Sequence, residues 1–166
     1  VPDSTGKISD VVLGFDDPKD YIKSGTYAGS VVGRNANRVG HAGFSLNGRH
    51  YVLDKNDGGK HNLHSGPEGF DRRLWQVISH SENAIHFRLD SPHGDQGMPG
   101  NAAIHVTYTL ENHSIIISYK AVRTEHTYAL TNHAFFSLDG FGGDIKEHTV
   151  QIWADKYSEV NDKLIP

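Results

Sequence analysis

The 166-residue sequence contains no cysteine. Disulfides, thiol nucleophiles and cysteine-ligated zinc are therefore excluded as sources of stability or chemistry. A chain without cysteine suits a reducing compartment, so we expect a cytoplasmic protein. No apolar run approaches the roughly 20 residues that a helix needs to span a bilayer, and no membrane partner is expected.

Basic clusters are also missing. The 16 lysines and arginines are outnumbered by 20 aspartates and glutamates, which gives a formal charge of −4. Without a basic stripe there is no electrostatic footprint for nucleic acid, and that class of partner is excluded. A chain of this length is predicted to form a single domain over residues 1–166.

Apolar and polar residues alternate through much of the chain, which is the pattern of half-buried strands. The predicted strands are 44–46, 51–53, 74–80, 84–90, 103–110, 114–122 and 148–154. Asn47-Gly48 predicts a tight hairpin turn, and 17–23 predicts one short helix. The predicted fold is all-β and mostly antiparallel, with a sandwich favoured over a closed barrel.

Two polar clusters are candidates for ligand contacts. Residues 33–38 carry two arginines and two asparagines, which suit the hydroxyls of a sugar but also suit a simple polar turn. His61 and His64 lie in a long loop at 54–70, where a histidine pair could ligate a metal. No carboxylate completes a metal triad there, so exposed loop histidines are the favoured interpretation of that pair.

His133 is the best candidate for a proton donor. It lies in the run 130–138, which predicts a strand, and an imidazole titrates near neutral pH. Phe135 and Phe136 follow closely, and aromatic side chains are typical of pockets that exclude water. A hydrogen-bonded structural histidine remains the alternative at this position.

Seven segments are informative together, at 10–16, 27–39, 44–53, 62–66, 69–71 with 74–75, 130–140 and 154–166. Each motif alone is weak, but their shared order and spacing are specific and cover nearly the whole chain. Taken together and in order, they resemble the aldose 1-epimerase (galactose mutarotase) family.

The resemblance implies a large antiparallel β-sandwich, the galactose mutarotase-like supersandwich, which is incomplete in this chain. It implies an isomerase of carbohydrate metabolism that interconverts the α and β anomers of free hexoses such as galactose and glucose. The implied partner is a small hexose. No metal or redox cofactor is implied, because the carbonyl that forms on ring opening is internal to the substrate.

The resemblance also assigns roles to five residues. His133 matches the general acid that is aimed at the ring oxygen. His64 matches a second active-site histidine, which hydrogen-bonds the sugar and helps to polarise the ring oxygen. Asn37 and Arg38 match the pair that holds sugar hydroxyls. Phe135 stands where the family commonly has a tyrosine, so it is expected to contact substrate without a hydroxyl.

The general base is not among the matched segments. In the family it is a glutamate that follows the segment matching 164–166, as does a substrate-binding aspartate. None of the six glutamates present (68, 82, 111, 125, 147 and 159) matches the base motif. We therefore expect a fragment without the family's first strands and C-terminal part. We expect it to be inactive in isolation and to need the remainder of its own polypeptide as a partner.

Three rival functions stay open on sequence grounds. A non-catalytic carbohydrate-binding sandwich would use Asn37, Arg38 and the aromatics without His133 as an acid. A hexose-6-phosphate epimerase-like protein would need a cationic clamp, for which the candidates are Arg34, Arg38, Arg72 and Arg73. A cupin-type histidine metalloprotein would need a bound metal.

Overall fold

The computed structural model describes residues 1–123, 128–140 and 142–166, so that Glu125 lies outside the described part of the chain. The described residues form two compact units, one made of Val1–Val31 with Asn132–Pro166 and the other of Val32–Thr131. A single domain over residues 1–166 stays a prediction.

Strands dominate the regular structure, which confirms the all-β class. The helical elements among the described residues are short: α1 (Pro18–Lys23) and three 3-10 turns, Gly40–Ala42, Phe70–Arg72 and Asp95–Gly97. The strands are β1 (Val31–Val32), β2 (Arg38–Val39), β3 (Gly43–Leu46), β4 (Arg49–Val52), β5 (Asn62–Leu63), β6 (Gln76–His80), β7 (Ala84–Ser91), β8 (Ala102–Glu111), β9 (Ser114–Arg123) and β10 (Thr131–Asn132).

The largest sheet is an antiparallel meander in the order β6-β7-β8-β9. Its alternation is the predicted one, because Ile104 and Val106 of β8 are fully buried while the residue between them points to the opposite face. The predicted strands here are confirmed to within two residues. The largest difference is at the start of β6, where Leu74 is 98% exposed and lies outside the sheet.

The remaining pairs, β1-β10, β2-β5 and β3-β4, are two-stranded. In the β3-β4 hairpin the turn residues Asn47 and Gly48 both have positive φ, 51° and 76°, as a two-residue primed turn requires. Leu53 follows this hairpin and packs with Ala42 and Met98 in a small buried cluster. The Asn-Gly prediction is therefore confirmed.

In the unit that contains both ends of the chain, the N-terminal segment pairs with residues after β10. Leu13 donates its backbone N–H to the Phe135 carbonyl at 2.9 Å, and Ser137 donates to Val11 at 2.9 Å. Helix α1 begins as predicted, with the Asp17 carboxylate accepting the Lys19 N–H at its first turn. Over the described residues, no helix is long and apolar enough to cross a bilayer.

The strand predicted at 148–154 is wrong, because these residues are irregular. Val150, Ile152 and Trp153 are 80%, 77% and 88% exposed. A strand needs a neighbour to pair its backbone groups, and no described segment lies alongside this one as a sheet partner. The strand predicted at 130–138 is confirmed only as β10 and as one bridge between Phe136 and Val12.

Candidate active site

The short ladder between β2 and β5 brings two of the predicted site segments together. Its register pairs Arg38 with Leu63 and Val39 with Asn62. One step beyond the ladder, Asn37 and His64 exchange two hydrogen bonds. The Asn37 N–H donates to Nδ1 of His64 at 3.0 Å, and the His64 N–H donates to the Asn37 carbonyl at 3.1 Å. These segments, separate in sequence, are therefore adjacent in the fold.

The first of these bonds fixes the tautomer of His64. A backbone N–H can only donate, so Nδ1 must offer it a lone pair. The neutral ring therefore carries its proton on Nε2. His64 is buried, with 9% of its surface exposed, and its ring can act as a hydrogen-bond donor at Nε2.

Ser65 holds this part of the chain in an uncommon backbone conformation. Asn37, His64 and Ser65 have φ values of 62°, 54° and 71°, in the left-handed region that non-glycine residues seldom adopt. The fully buried Ser65 hydroxyl accepts the Asn35 N–H at 2.6 Å and donates to the Asn35 carbonyl at 3.2 Å. These bonds offset the cost of the backbone geometry and keep His64 in place.

The guanidinium of Arg38 has a carboxylate partner that sequence reasoning missed. Its Nε donates to Oδ2 of Asp57 at 2.9 Å, and the two side chains are 21% and 27% exposed. Asp57 begins an Asp-Gly-Gly turn in the loop before β5. Turn chemistry was visible in the sequence, but its position beside Arg38 depends on the β2-β5 ladder.

The guanidinium of Arg34 is engaged in the fold. It is 3% exposed, and its Nη1 donates to the carbonyls of Pro99 and Gly100 at 2.7 and 2.9 Å. Nε and Nη2 donate to the Ser91 hydroxyl at 3.2 and 2.6 Å. Nη2 also donates to the carbonyls of Ser91 and Pro92 at 3.0 and 3.1 Å. The sugar-binding interpretation of the 33–38 cluster therefore fails for Arg34.

The other arginines proposed for a phosphate clamp are also engaged. Arg73 pairs with Asp95 at 2.6 Å, and Arg72 with Asp71 at 3.1 Å. Burial alone would raise the pKa of Asp95, but hydrogen bonds from Arg73 and Ser91, together with nearby positive charge, hold that pKa below its usual value. These ion pairs reduce the cationic character that a phosphate clamp needs.

His61 is paired with His41 and not with His64. Its Nδ1 accepts the His41 N–H at 3.1 Å, and the two rings lie 5.6 Å apart. Among the described residues, no group of three or more histidine, aspartate and glutamate side chains could hold a metal ion. His61 and His64 therefore lie in two separate hydrogen-bonded pairs, with His41 and Asn37 respectively.

His133 lies in the unit that contains both chain ends, directly after β10. Its N–H donates to the Ser30 carbonyl at 2.9 Å, and its carbonyl accepts the Gly29 N–H at 3.1 Å. The half-buried ring has two aromatic neighbours, with its centroid 5.7 Å from that of Tyr27 and 5.0 Å from that of Phe135. Backbone bonds thus fix the position of the residue, and its ring packs in an aromatic environment.

Phe135 has an exposed side chain on the same unit. It is 42% exposed and borders an open depression of about 470 Å³ with Leu13, Ala134 and Phe136. Its ring is free of a hydroxyl and offers only an apolar face. The roles predicted for Phe135, His133, His64, Asn37 and Arg38 stay predictions.

Comparison with known proteins gives one consistent family. The family model described as aldose 1-epimerase matches residues 1–166. A galactose mutarotase of Sus scrofa is 43% identical over 170 residues, and the match covers 100% of this chain and 48% of that protein. An aldose 1-epimerase of Escherichia coli (strain K12) is 37% identical over 168 residues, with coverage of 100% and 48%. The chain thus spans about half the length of the curated relatives it matches.

Solved structures agree with the sequence matches. A crystal structure of a GalM/aldose epimerase homologue from C. elegans superposes with a TM-score of 0.90 at 38% identity, covering 99% of this chain and 51% of that chain. A galactose 1-epimerase from Lactobacillus acidophilus NCFM gives a TM-score of 0.66 at 29% identity, covering 76% and 39%.

Proposed function

Because the chain belongs to the aldose 1-epimerase family, we propose that its protein is an isomerase that interconverts the α and β anomers of free hexoses such as galactose and glucose. The observation that carries the proposal is the family match over all 166 residues. The fixed tautomer of His64 beside Arg38 supports it, because it presents hydrogen-bond donors suited to a neutral, hydroxyl-rich ligand.

The reaction needs two proton transfers and no external co-reactant. A base removes the proton of the C1 hydroxyl while an acid protonates the ring oxygen, and the ring opens to an aldehyde. Rotation about the C1–C2 bond and closure on the other face give the other anomer. Each positioned proton-transfer group contributes about 10²–10⁴-fold.

In this proposal His133 is the general acid that protonates the ring oxygen. His64 donates a hydrogen bond from Nε2 to the sugar and helps to polarise that oxygen. Asn37 and Arg38 hold hydroxyl groups, and Phe135 packs its face against the sugar. The base is a glutamate outside the 166 residues, supplied by the remainder of the polypeptide. The cytoplasmic location proposed for the enzyme rests on the absence of cysteine.

Polarimetry tests the function directly. Freshly dissolved α-galactose is mixed with the purified complete protein, and the change in rotation is followed against the spontaneous rate. We expect clear acceleration, and a fall in kcat of about 10²–10⁴-fold in His133→Asn, which cannot deliver a proton. The matched control is His113→Asn, in the exposed turn between β8 and β9, which should retain the wild-type rate.

The outcomes separate the proposal from its rivals. Galactose binding without acceleration by the wild-type protein would identify a carbohydrate-binding module. Tighter binding of glucose 6-phosphate than of galactose would favour a hexose-6-phosphate epimerase. Unchanged turnover in His133→Asn would remove the acid role of that residue.

A further inference from the structure

The geometry of the ion pair between Arg38 and Asp57 is suited to controlling which ligand Arg38 binds. It is made through Nε of the guanidinium, at 2.9 Å. Among the described residues Asp57 is the only partner of this guanidinium. Nη1 and Nη2, which carry four of the five guanidinium protons, make no hydrogen bond to protein there. Arg38 therefore has its side chain anchored at one end and donors left for a ligand.

The position of Asp57 is set by a tight turn. The Asp57 N–H donates to the His61 carbonyl at 3.0 Å, and the His61 N–H donates back to the Asp57 carbonyl at 2.9 Å. Between them Gly58 and Gly59 have φ values of 58° and 66°, which glycine adopts without a steric cost. The backbone of the turn thus positions the Asp57 carboxylate independently of Arg38.

Asn56 ties this turn to the strand that faces Arg38. Its side-chain oxygen accepts the Leu63 N–H at 2.8 Å, and its amide donates to the Leu63 carbonyl at 2.8 Å. Leu63 is the residue paired with Arg38 in the β2-β5 register. The turn, the strand and the arginine therefore form one hydrogen-bonded unit that holds Asp57 at Arg38.

A carboxylate at this position changes what the arginine can select. An unpaired guanidinium is a strong bidentate binder of phosphate. A guanidinium that is paired with a carboxylate keeps N–H donors for neutral hydroxyls. The negative charge of the carboxylate offsets the positive charge of the guanidinium and repels an anionic ligand. The pair is part-buried, so solvent screens this effect less than it screens an exposed pair.

We propose that Asp57 is a positioning and specificity-determining residue that orients Arg38 toward the hydroxyls of a neutral hexose and disfavours phosphorylated hexoses. This inference rests on the proposed function, since it concerns the residue there assigned to hold sugar hydroxyls. Asp57 acts through Arg38 and takes no part in the proton transfers.

The test uses Asp57→Asn in the complete protein, which preserves the size of the side chain and an oxygen acceptor for Nε but removes the charge. We expect KM for galactose to rise about tenfold with kcat changed less than about twofold, because a charge-assisted bond is replaced by a weaker neutral one. Inhibition by galactose 6-phosphate should become about tenfold stronger, as the charge of Arg38 is no longer offset.

Two further variants sharpen the result. Asp57→Glu restores the charge and should return phosphate discrimination toward the wild-type ratio. Asp54→Asn removes an exposed carboxylate from the same loop and should leave both constants unchanged. These two variants separate the effect of charge at Asp57 from a general change in the charge of the loop.

The inference is overturned by a KM for galactose in Asp57→Asn within twofold of wild type. It is equally overturned if galactose and galactose 6-phosphate both bind more weakly to Asp57→Asn by the same factor, because a purely structural role of Asp57 would give that result. Either result in an active enzyme leaves the mutarotase function intact, whereas a wild-type protein without turnover defeats the proposed function itself.

Discussion

Arg34 and Arg38 are close in sequence and identical in chemistry, yet they meet opposite surroundings. Arg34 is 3% exposed and donates every guanidinium nitrogen to carbonyls or to Ser91. Arg38 is half-buried, and in the described part of the chain its carboxylate partner is Asp57. The difference follows from the segments that lie alongside each residue. Residues 91 and 99–100 supply the partners of Arg34, and residue 57 supplies the partner of Arg38.

The buried arginine gives a stability prediction at the residue scale. Arg34→Lys keeps the charge, but one ammonium cannot serve both Ser91 and the Pro99 and Gly100 carbonyls. We expect the free energy of unfolding to fall by about 3 kcal/mol, since buried acceptors lose their donors. Urea denaturation followed by circular dichroism measures the loss.

Arg49→Lys is the matched control for that measurement. The Arg49 side chain is exposed, with its guanidinium over the face of Tyr51 at 5.3 Å, so its replacement should change stability by less than about 0.5 kcal/mol. Equal stability of the two lysine variants would show that the Arg34 network is not needed for the fold.

At the scale of elements, β8 presents two different faces. Ile104 and Val106 are fully buried, while on the other face His105 meets His86 of the neighbouring strand, with 2.9 Å between Nδ1 and Nε2. In register beside His105 are Arg88 of β7 and Lys120 of β9. A protonated His105 would therefore stand among like charges, with the carboxylate of Asp90 as an opposing charge nearby.

This arrangement makes the meander sensitive to pH. Burial, then His86, Arg88 and Lys120, lower the pKa of His105, against a weaker opposing effect of Asp90. A lowered histidine pKa means that the unfolded chain binds the proton more readily than the folded one. The stabilising contribution is therefore complete above the unfolded pKa of about 6.5 and is lost as pH falls below it.

We expect the free energy of unfolding to decrease between about pH 7 and about pH 5, and to decrease less in His105→Gln. Urea titrations across that range measure the slope. His113→Gln changes a histidine in the exposed β8-β9 turn and should keep the wild-type slope. Identical slopes for wild type and His105→Gln would contradict a contribution from His105.

Periodicity predicted the long elements well and the short ones poorly. Strands β7, β8 and β9 repeat the period-2 pattern over eight to ten residues, so their existence and bounds follow from the sequence. Strand β5 has two residues and leaves no periodic signal. Its pairing with β2 is what joins His64 to Asn37 and places Asp57 at Arg38, so these contacts could not be derived from pattern.

The error at 148–154 has a different origin. The apolar and polar side chains do alternate at 148–154, but alternation alone does not make a strand. A strand also needs a neighbouring backbone with which to form hydrogen bonds, and the local sequence pattern does not show whether one is present. The same limit explains why 130–138 became a two-residue strand and one bridge.

At the scale of the whole molecule, large apolar side chains stay uncovered near the end of the described chain. Val150, Ile152, Trp153 and Tyr157 are 80%, 77%, 88% and 84% exposed. The matched curated relatives are about twice as long as this chain. The proposed mechanism needs an acid and a base, and the resemblance assigns only the acid, His133, to these residues.

The assignment of the acid, but not of the base, to this chain predicts how the 166 residues behave when they are produced alone. We expect galactose to mutarotate near its spontaneous rate in their presence, because none of the six glutamates matches the base motif and an acid without its partner loses a factor of about 10²–10⁴. The complete protein, at equal concentration in the same polarimeter, is the positive control. Far-ultraviolet circular dichroism must first show β structure, so that a lack of activity is not caused by a failure to fold. Robust turnover by the folded chain would mean that the base lies within these residues, and replacing each of the six glutamates by glutamine would then identify it.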